Sequence, residues 1–172
     1  MVNGKAKGSQ YERDICKLLS LWVSAGEKTD LYWRSAMSGG RATVAASKGV
    51  LVRQAGDITA VSPEGHSLTD RCYLELKHYK SLDLEGFFLR GKGTLAGFWR
   101  ETVKQAKRYE RQPLLIARQN RTADLILGRP GALIPLVTPR LLGMVIRVNL
   151  PGMPPCEVRL FNDLLRCAYK GA

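Results

Sequence analysis

At 172 residues with 45% hydrophobic side chains, the chain can bury one proper core but not two comfortable ones, so a single domain over residues 1–172 is expected. Its 27 Lys and Arg against 15 Asp and Glu give a net charge of +12, beyond what solubility requires, which favours a polyanionic partner with nucleic acid first. No long apolar run, signal-peptide pattern or basic amphipathic anchor accompanies that charge, so a membrane partner is not expected and a soluble, cytoplasmic protein is.

The residues through Gly8 are small or basic and predict a flexible arm. Ile15, Leu18, Leu19, Trp22 and Val23 then fall at i, i+3, i+4, i+7 and i+8, the apolar stripe of a helix over residues 9–25 that Gly26 closes. Residues 31–36 read as a short strand, followed by a weakly patterned, glycine-, alanine- and cation-rich segment to residue 55 that is expected to be a mobile loop. Residues 57–61 form a second strand, Pro63-Glu64-Gly65 a turn and residues 72–79 a third strand, so the two strands are expected to pair as a hairpin. A second helix over residues 97–111 is stopped by Pro113, and residues 114–117 make an apolar strand. Short strands at 124–127, 144–148 and 157–161 and a helical turn over 164–169 complete the chain. The plan is α/β (α+β): a single domain with a central mixed β-sheet flanked by helices, a core over about residues 8–117, and a β-rich extension over 118–172. That extension either completes the sheet or builds a dimer surface.

Cys16, Cys72, Cys156 and Cys167 contain no CxxC pair, and with His66 and His78 as the two histidines a structural zinc site is not expected. The cysteines read as reduced packing residues. Side chains alternate along the third strand, so Cys72, Leu74 and Leu76 share one face and Tyr73, Glu75, Lys77 and Tyr79 the other. The first set can face a core. The second leaves a carboxylate beside an ammonium in an otherwise apolar strand, where neither is buried without a partner. Mg²⁺ takes oxygen ligands through one or two carboxylates plus substrate phosphate, so Asp57 and Glu75 are expected to hold it between them. Lys77 would orient or help deprotonate an attacking water and offset transition-state charge. The plain alternative is a structural Glu75–Lys77 pair on a solvated face, with Asp57 a turn residue after Gly56.

Gly56-Asp57 and Glu75-Leu76-Lys77 resemble the core motif of the PD-(D/E)XK nuclease superfamily, and the order of elements around them agrees. The resemblance implies a restriction-endonuclease-like core and metal-dependent hydrolysis of DNA, with Mg²⁺ as cofactor and Mn²⁺ as its substitute. Gly8-Ser9-Gln10-Tyr11-Glu12-Arg13 is similar to the opening of archaeal-type Holliday junction resolvases and their phage relatives, in which a helix-borne glutamate joins the metal site; Glu12 is the matching residue. The competing account makes Ser9-x-x-Glu12 a capping box. Arg34-Ser35 and Ser38-Gly39-Gly40 resemble the DNA-handling segment of those resolvases, which assigns Arg34, Ser38 and Arg41 to DNA, with Ser38 preferred over Ser35; an ordinary turn serine is the alternative.

Gln105 and Tyr109 match the QxxxY motif of RecB-like branches of the same superfamily. Phe98, Thr102, Gln105 and Tyr109 lie at i, i+4, i+7 and i+11, so Gln105 is expected to face the sheet as a member of the catalytic set or as a satisfied structural glutamine. Arg100, Lys104 and Lys107, with Arg111, form a basic stripe that either follows phosphates or is simply a solvated face. His78 falls on the opposite strand face from Glu75 and reads as structural, Trp22 and Trp99 as core, and Trp33, beside Arg34, as an aromatic that could stack on an unpaired base.

The expected function is a Mg²⁺-dependent endonuclease of phage type that cleaves four-way DNA junctions selectively as a two-fold homodimer, since two symmetric cuts call for two equivalent sites. A RecB-like or restriction-type nuclease acting on linear or single-stranded DNA is the second reading. A non-catalytic DNA-binding protein on the nuclease fold is the third, from another class.

Overall fold

The computed structural model describes residues 4–35, 55–138 and 143–170, so Ser38, Gly39, Gly40, Arg41 and the loop expected around them lie outside the described residues. Helix α1 (Gly4–Val23) buries Ile15, Leu19 and Trp22 of the predicted stripe together with Tyr11 and Cys16, while Leu18 and Val23 are partly buried at its edge. It begins well before residue 9, occupying part of the segment expected as a flexible arm. Ser9 is therefore inside the helix, and the capping-box account of Glu12 is corrected, because a cap must precede the first turn.

Strand β1 (Tyr32–Arg34) pairs antiparallel with β2 (Ile58–Ala60), placing Trp33 opposite Thr59 and Arg34 opposite Ile58. The expected hairpin between β2 and the third strand is not formed. Pro63 opens a helix instead, α2 (Pro63–Thr69), since its fixed φ and missing N–H suit a first helical turn, and Glu64 there faces the positive end of the helix dipole. The chain thus returns in the same direction as it left, and the Gly56-Asp57 segment meets strand β3 (Cys72–Tyr79) through a parallel bridge from Gly56 to Leu74. Gly56 has φ of 86°, and a Cβ there would lie 2.4 Å from the Leu74 carbonyl oxygen, so this approach requires glycine.

β3 runs parallel to β4 (Gln112–Gln119) after a crossover through two helices, α3 (Leu84–Arg90) and α4 (Thr94–Arg108). The first of these was not anticipated, and the second ends earlier than predicted. Pro113 does not stop it but lies within β4 opposite Tyr73; the chain leaves the helix at Tyr109 and turns at Glu110, where φ is 54°. β5 (Leu125–Gly128), β6 (Ile146–Val148) and β7 (Cys156–Leu160) continue antiparallel, and the five-stranded mixed sheet has the order β3-β4-β5-β7-β6. The C-terminal strands therefore complete the sheet, and α5 (Phe161–Leu165) contributes Phe161 and Leu164 to the core beside α1.

One apolar core lies between the sheet and α1, with Ile15, Leu19, Leu74, Leu76, Leu114 and Ile116. A second lies between the sheet and the α3–α4 crossover, with Phe87, Leu95, Trp99, Leu115, Leu127 and Val158. This is a single α/β domain with helices on both faces of a mixed sheet. All four cysteines are free and buried, and burial pushes the Cys16, Cys72 and Cys156 thiols up to about 12, so they pack as inert thiols. Among the described residues no helix is long and apolar enough to cross a membrane.

Candidate active site

β3 is an edge strand of the main sheet, and the Gly56-Asp57 segment closes part of that edge. The Asp57 N–H donates to the Leu74 carbonyl at 2.8 Å, its carbonyl accepts the Ser35 N–H at 2.8 Å, and its side-chain Oδ2 accepts the Leu76 N–H at 2.8 Å. Backbone on both sides thus fixes where this carboxylate points. Ser35, passed over in favour of Ser38, is buried and helps to position Asp57 through its main chain.

The strand alternation sorts the other residues as predicted. Leu74 and Leu76 enter the α1-side core, while Glu75 and Lys77 face away from it. The Lys77 ammonium donates to Glu75 Oε1 and lies 3.8 Å from Asp57 Oδ2, so one cation is shared by two carboxylates. Phe98 of α4 covers the same ammonium, its ring centroid 5.6 Å from Nζ. The other Glu75 oxygen accepts the Tyr73 hydroxyl at 3.2 Å, and Tyr73 stacks on Tyr109 with ring centroids 5.9 Å apart. Sequence reasoning placed Tyr73 on the right face without giving it a role. Its hydroxyl beside Glu75 is the feature missed, and the alternation that put the two on one face was the available signal.

Electrostatics follow from this geometry. Asp57 is pushed up to about 7, by burial first and by the Glu75 charge second, against the opposing effects of Lys77 and the Leu76 N–H. Burial acts to lower Lys77, but Glu75 and Asp57 outweigh it and the net direction is up, so Lys77 stays an ammonium. Burial and then Glu75 likewise raise Tyr73, which remains a phenol able to donate.

Glu12 stands beside this group without joining its hydrogen bonds. Its carboxylate accepts Arg34 Nε at 2.8 Å, and its charge is among the influences that raise Asp57. Among the described residues no three His, Cys, Asp or Glu side chains are grouped closely enough to form a ready metal cage. Two carboxylates converging on one cation nonetheless fit a divalent metal, since Mg²⁺ commonly takes one or two protein carboxylates and completes its shell with water and phosphate.

The α4 residues divide. Tyr109 reaches the site through Tyr73, but the Gln105 amide donates to Glu101 and accepts from Arg108 at 3.3 Å, both on its own helix, so it is not brought to Asp57 or Glu75. The buried stripe is Leu95, Ala96, Trp99, Thr102 and Ala106, one position off the predicted one, and that rotation carries Gln105 to its margin. Arg100 donates to the carbonyls of Gly91 at 2.6 Å and Gly152 at 3.0 Å, which ties α4 to the loops beside it. Lys104 lies 3.9 Å from Glu101, Lys107 is exposed, and Arg111 pairs with Asp70. His78 packs against the Tyr11 ring on the α1 side, away from Glu75, as expected of a structural histidine.

An aspartate held against an edge strand that carries Glu-x-Lys, in a mixed sheet with a helical crossover, is the arrangement of a PD-(D/E)XK nuclease core. The family model described as "Phage putative PDDEXK endonuclease" matches residues 3–129, well over half of the chain, and the chain belongs to that family. No curated protein and no solved structure matches it.

Proposed function

We propose that this chain hydrolyses DNA phosphodiester bonds in a divalent-metal-dependent reaction, with Asp57 and Glu75 as metal ligands. The observation that carries this reading is the shared ammonium: two inward carboxylates from separate segments converge on Lys77, leaving one uncompensated negative charge where a dication would be stabilised. When bound, Mg²⁺, or Mn²⁺ in its place, would supply Lewis-acid polarisation of the phosphate and acidify a water.

The protein's own part is orientation and charge. The Leu76 N–H and the backbone bonds to Leu74 and Ser35 hold Asp57, and Tyr73 holds Glu75. Lys77, kept protonated by both carboxylates, acts as a donor to the attacking water and to charge developing on phosphorus oxygens, and not as a base. Glu12 serves as a positioning residue that fixes Arg34 for a phosphate; direct ligation would require it to leave Arg34.

Four-way junctions, cut by a two-fold dimer, are the substrate we favour. Support comes from the resemblance around Gly8 to Arg13 and from the Glu12–Arg34 pair standing beside Asp57. The linear-DNA reading leaned on Gln105, whose amide is engaged on its own helix. Labelled four-way junction, linear duplex and single strand should be incubated with and without Mg²⁺. Paired symmetric nicks in the junction that vanish in Glu75→Ala are expected. Equal rates on junction and duplex would remove the junction reading. No metal-dependent cutting of any substrate, or cutting retained in both Glu75→Ala and Lys77→Ala, would leave a non-catalytic DNA-binding protein.

A further inference from the structure

A cleft opens between α1 and β1, next to the acidic group but separate from it. Its volume is about 330 Å³, and Cys16 and Tyr32 are its buried lining residues. Arg13 and Lys17, one turn apart on α1, form one wall, and Trp33 with Arg34 forms the other. Three cationic residues, of which Arg34 is paired with Glu12, therefore share the cleft with an indole that is 64% exposed, and Asp30 is the acid in the lining. Trp22 and Trp99 are buried, so the exposure of Trp33 is particular to its place on β1.

From this geometry we infer that the α1–β1 cleft is a single-strand site in which Trp33 stacks on an unpaired base while Arg13, Lys17 and Arg34 take the flanking phosphates. The chemistry suits that ligand: every base offers a π face to an aromatic platform, and the cations neutralise backbone charge. The volume falls within the roughly 300–1,000 Å³ typical of small-ligand clefts, enough for a nucleotide-sized group. Its location gives it a use. Arg34 is held by Glu12 at 2.8 Å, and the next residue, Ser35, donates its N–H to the Asp57 carbonyl at 2.8 Å. A strand anchored at Trp33 would therefore run past Arg34 toward Asp57 and Glu75. Away from its ends, paired DNA cannot present a base face to Trp33 without unstacking, so the cleft would select branched, frayed or single-stranded substrates.

The inference rests on the nuclease reading for its purpose but not for its test. Full-length protein without divalent metal is titrated into a fluorescent oligothymidine of about 20 nucleotides, longer than one site spans, and into a blunt duplex of equal length. Trp33→Ala should weaken single-strand binding roughly tenfold or more, and duplex binding far less, while Trp33→Phe recovers much of the loss. Arg13→Ala with Lys17→Ala should weaken both and flatten the salt dependence. Unchanged single-strand affinity in Trp33→Ala, or equal losses on both DNAs, would overturn the inference. Failure of the wild type to cut DNA in Mg²⁺ would instead overturn the function proposed above, and the metal-free titration would still decide the role of Trp33.

Discussion

Asp124 and the Asp57–Glu75 pair are all carboxylates withdrawn from water in or beside one sheet, yet only Asp124 is saturated. Arg118 grips it with two hydrogen bonds, of 2.6 and 2.5 Å, and the Tyr11 hydroxyl adds a third at 3.1 Å. On β7, next to the far edge of the sheet, Glu157 is likewise provided for, with Arg147 at 3.2 Å and Arg159 at 3.6 Å. Asp57 and Glu75 share one lysine, and burial first and the Glu75 charge second drive the Asp57 carboxyl up despite that lysine. Burial that is matched by cations builds structure. Burial that leaves a negative excess stores the capacity to bind a dication, at some cost to the stability of the protein without one.

Substitution should separate the two kinds of site, and the largest effect belongs to the unsaturated one. Asp57→Asn and Glu75→Gln are expected to lower metal-dependent cleavage by about 10²–10³-fold or more, as loss of several kcal/mol of charge stabilisation implies. Their circular dichroism and thermal midpoints should remain near those of the wild type. Next comes Asp124→Ala, which strands Arg118 and should lower stability by about 2–3 kcal/mol in urea titration, reduced from the fully buried case because Arg118 is partly exposed.

The pH response should differ between the wild type and Asp57→Asn, and stability and metal affinity should move in opposite directions. Because Asp57 in the fold sits near 7, above its ordinary 3.8, the folded protein holds that proton more tightly than the unfolded chain. Its contribution to stability is full below about 4 and is lost as pH rises through about 7. Urea midpoints measured without metal should show this decline in the wild type and its absence in Asp57→Asn, which should equal or exceed the wild type at pH 8. Metal affinity should move the opposite way, rising with pH as Asp57 ionises. The smallest effect is expected from Tyr73→Phe, which keeps the stack on Tyr109 but removes the donor to Glu75; activity should fall about tenfold, with stability changed by no more than about 1 kcal/mol.

The periodicity of Ile15 to Val23 and the alternation from Cys72 to Tyr79 were legible because each repeats the same burial choice over several residues. Helices α2 and α3 were not, since each has only seven residues, and the Leu84, Phe87 and Phe88 spacing of α3 spans barely one turn, too short to separate a helix from an apolar loop. A helix at Pro63 turned an expected hairpin into a parallel return, yet Asp57 still reached β3, because the Gly56 approach to Leu74 does not depend on the connection. Asp57, Glu75 and Lys77 could be named from motif and strand face. Tyr73 was within reach of the same alternation, whereas the other orienting partners, the Leu76 N–H on Asp57 and Phe98 over Lys77, follow from tertiary contacts that spacing does not encode. A small error of phase on α4 had a larger consequence, placing Gln105 toward the sheet when its amide lies along the helix.

The central claim is that the negative excess at Asp57 and Glu75 is a divalent-metal site, whereas the Asp124 cluster is structural. Calorimetric titration of Mn²⁺ into metal-free protein at pH 8 addresses it without requiring a substrate. Binding by the wild type and by Asp124→Asn, with binding lost in Asp57→Asn and in Glu75→Gln, is the predicted result. Equal Mn²⁺ binding by all four proteins, or none by the wild type, would contradict it.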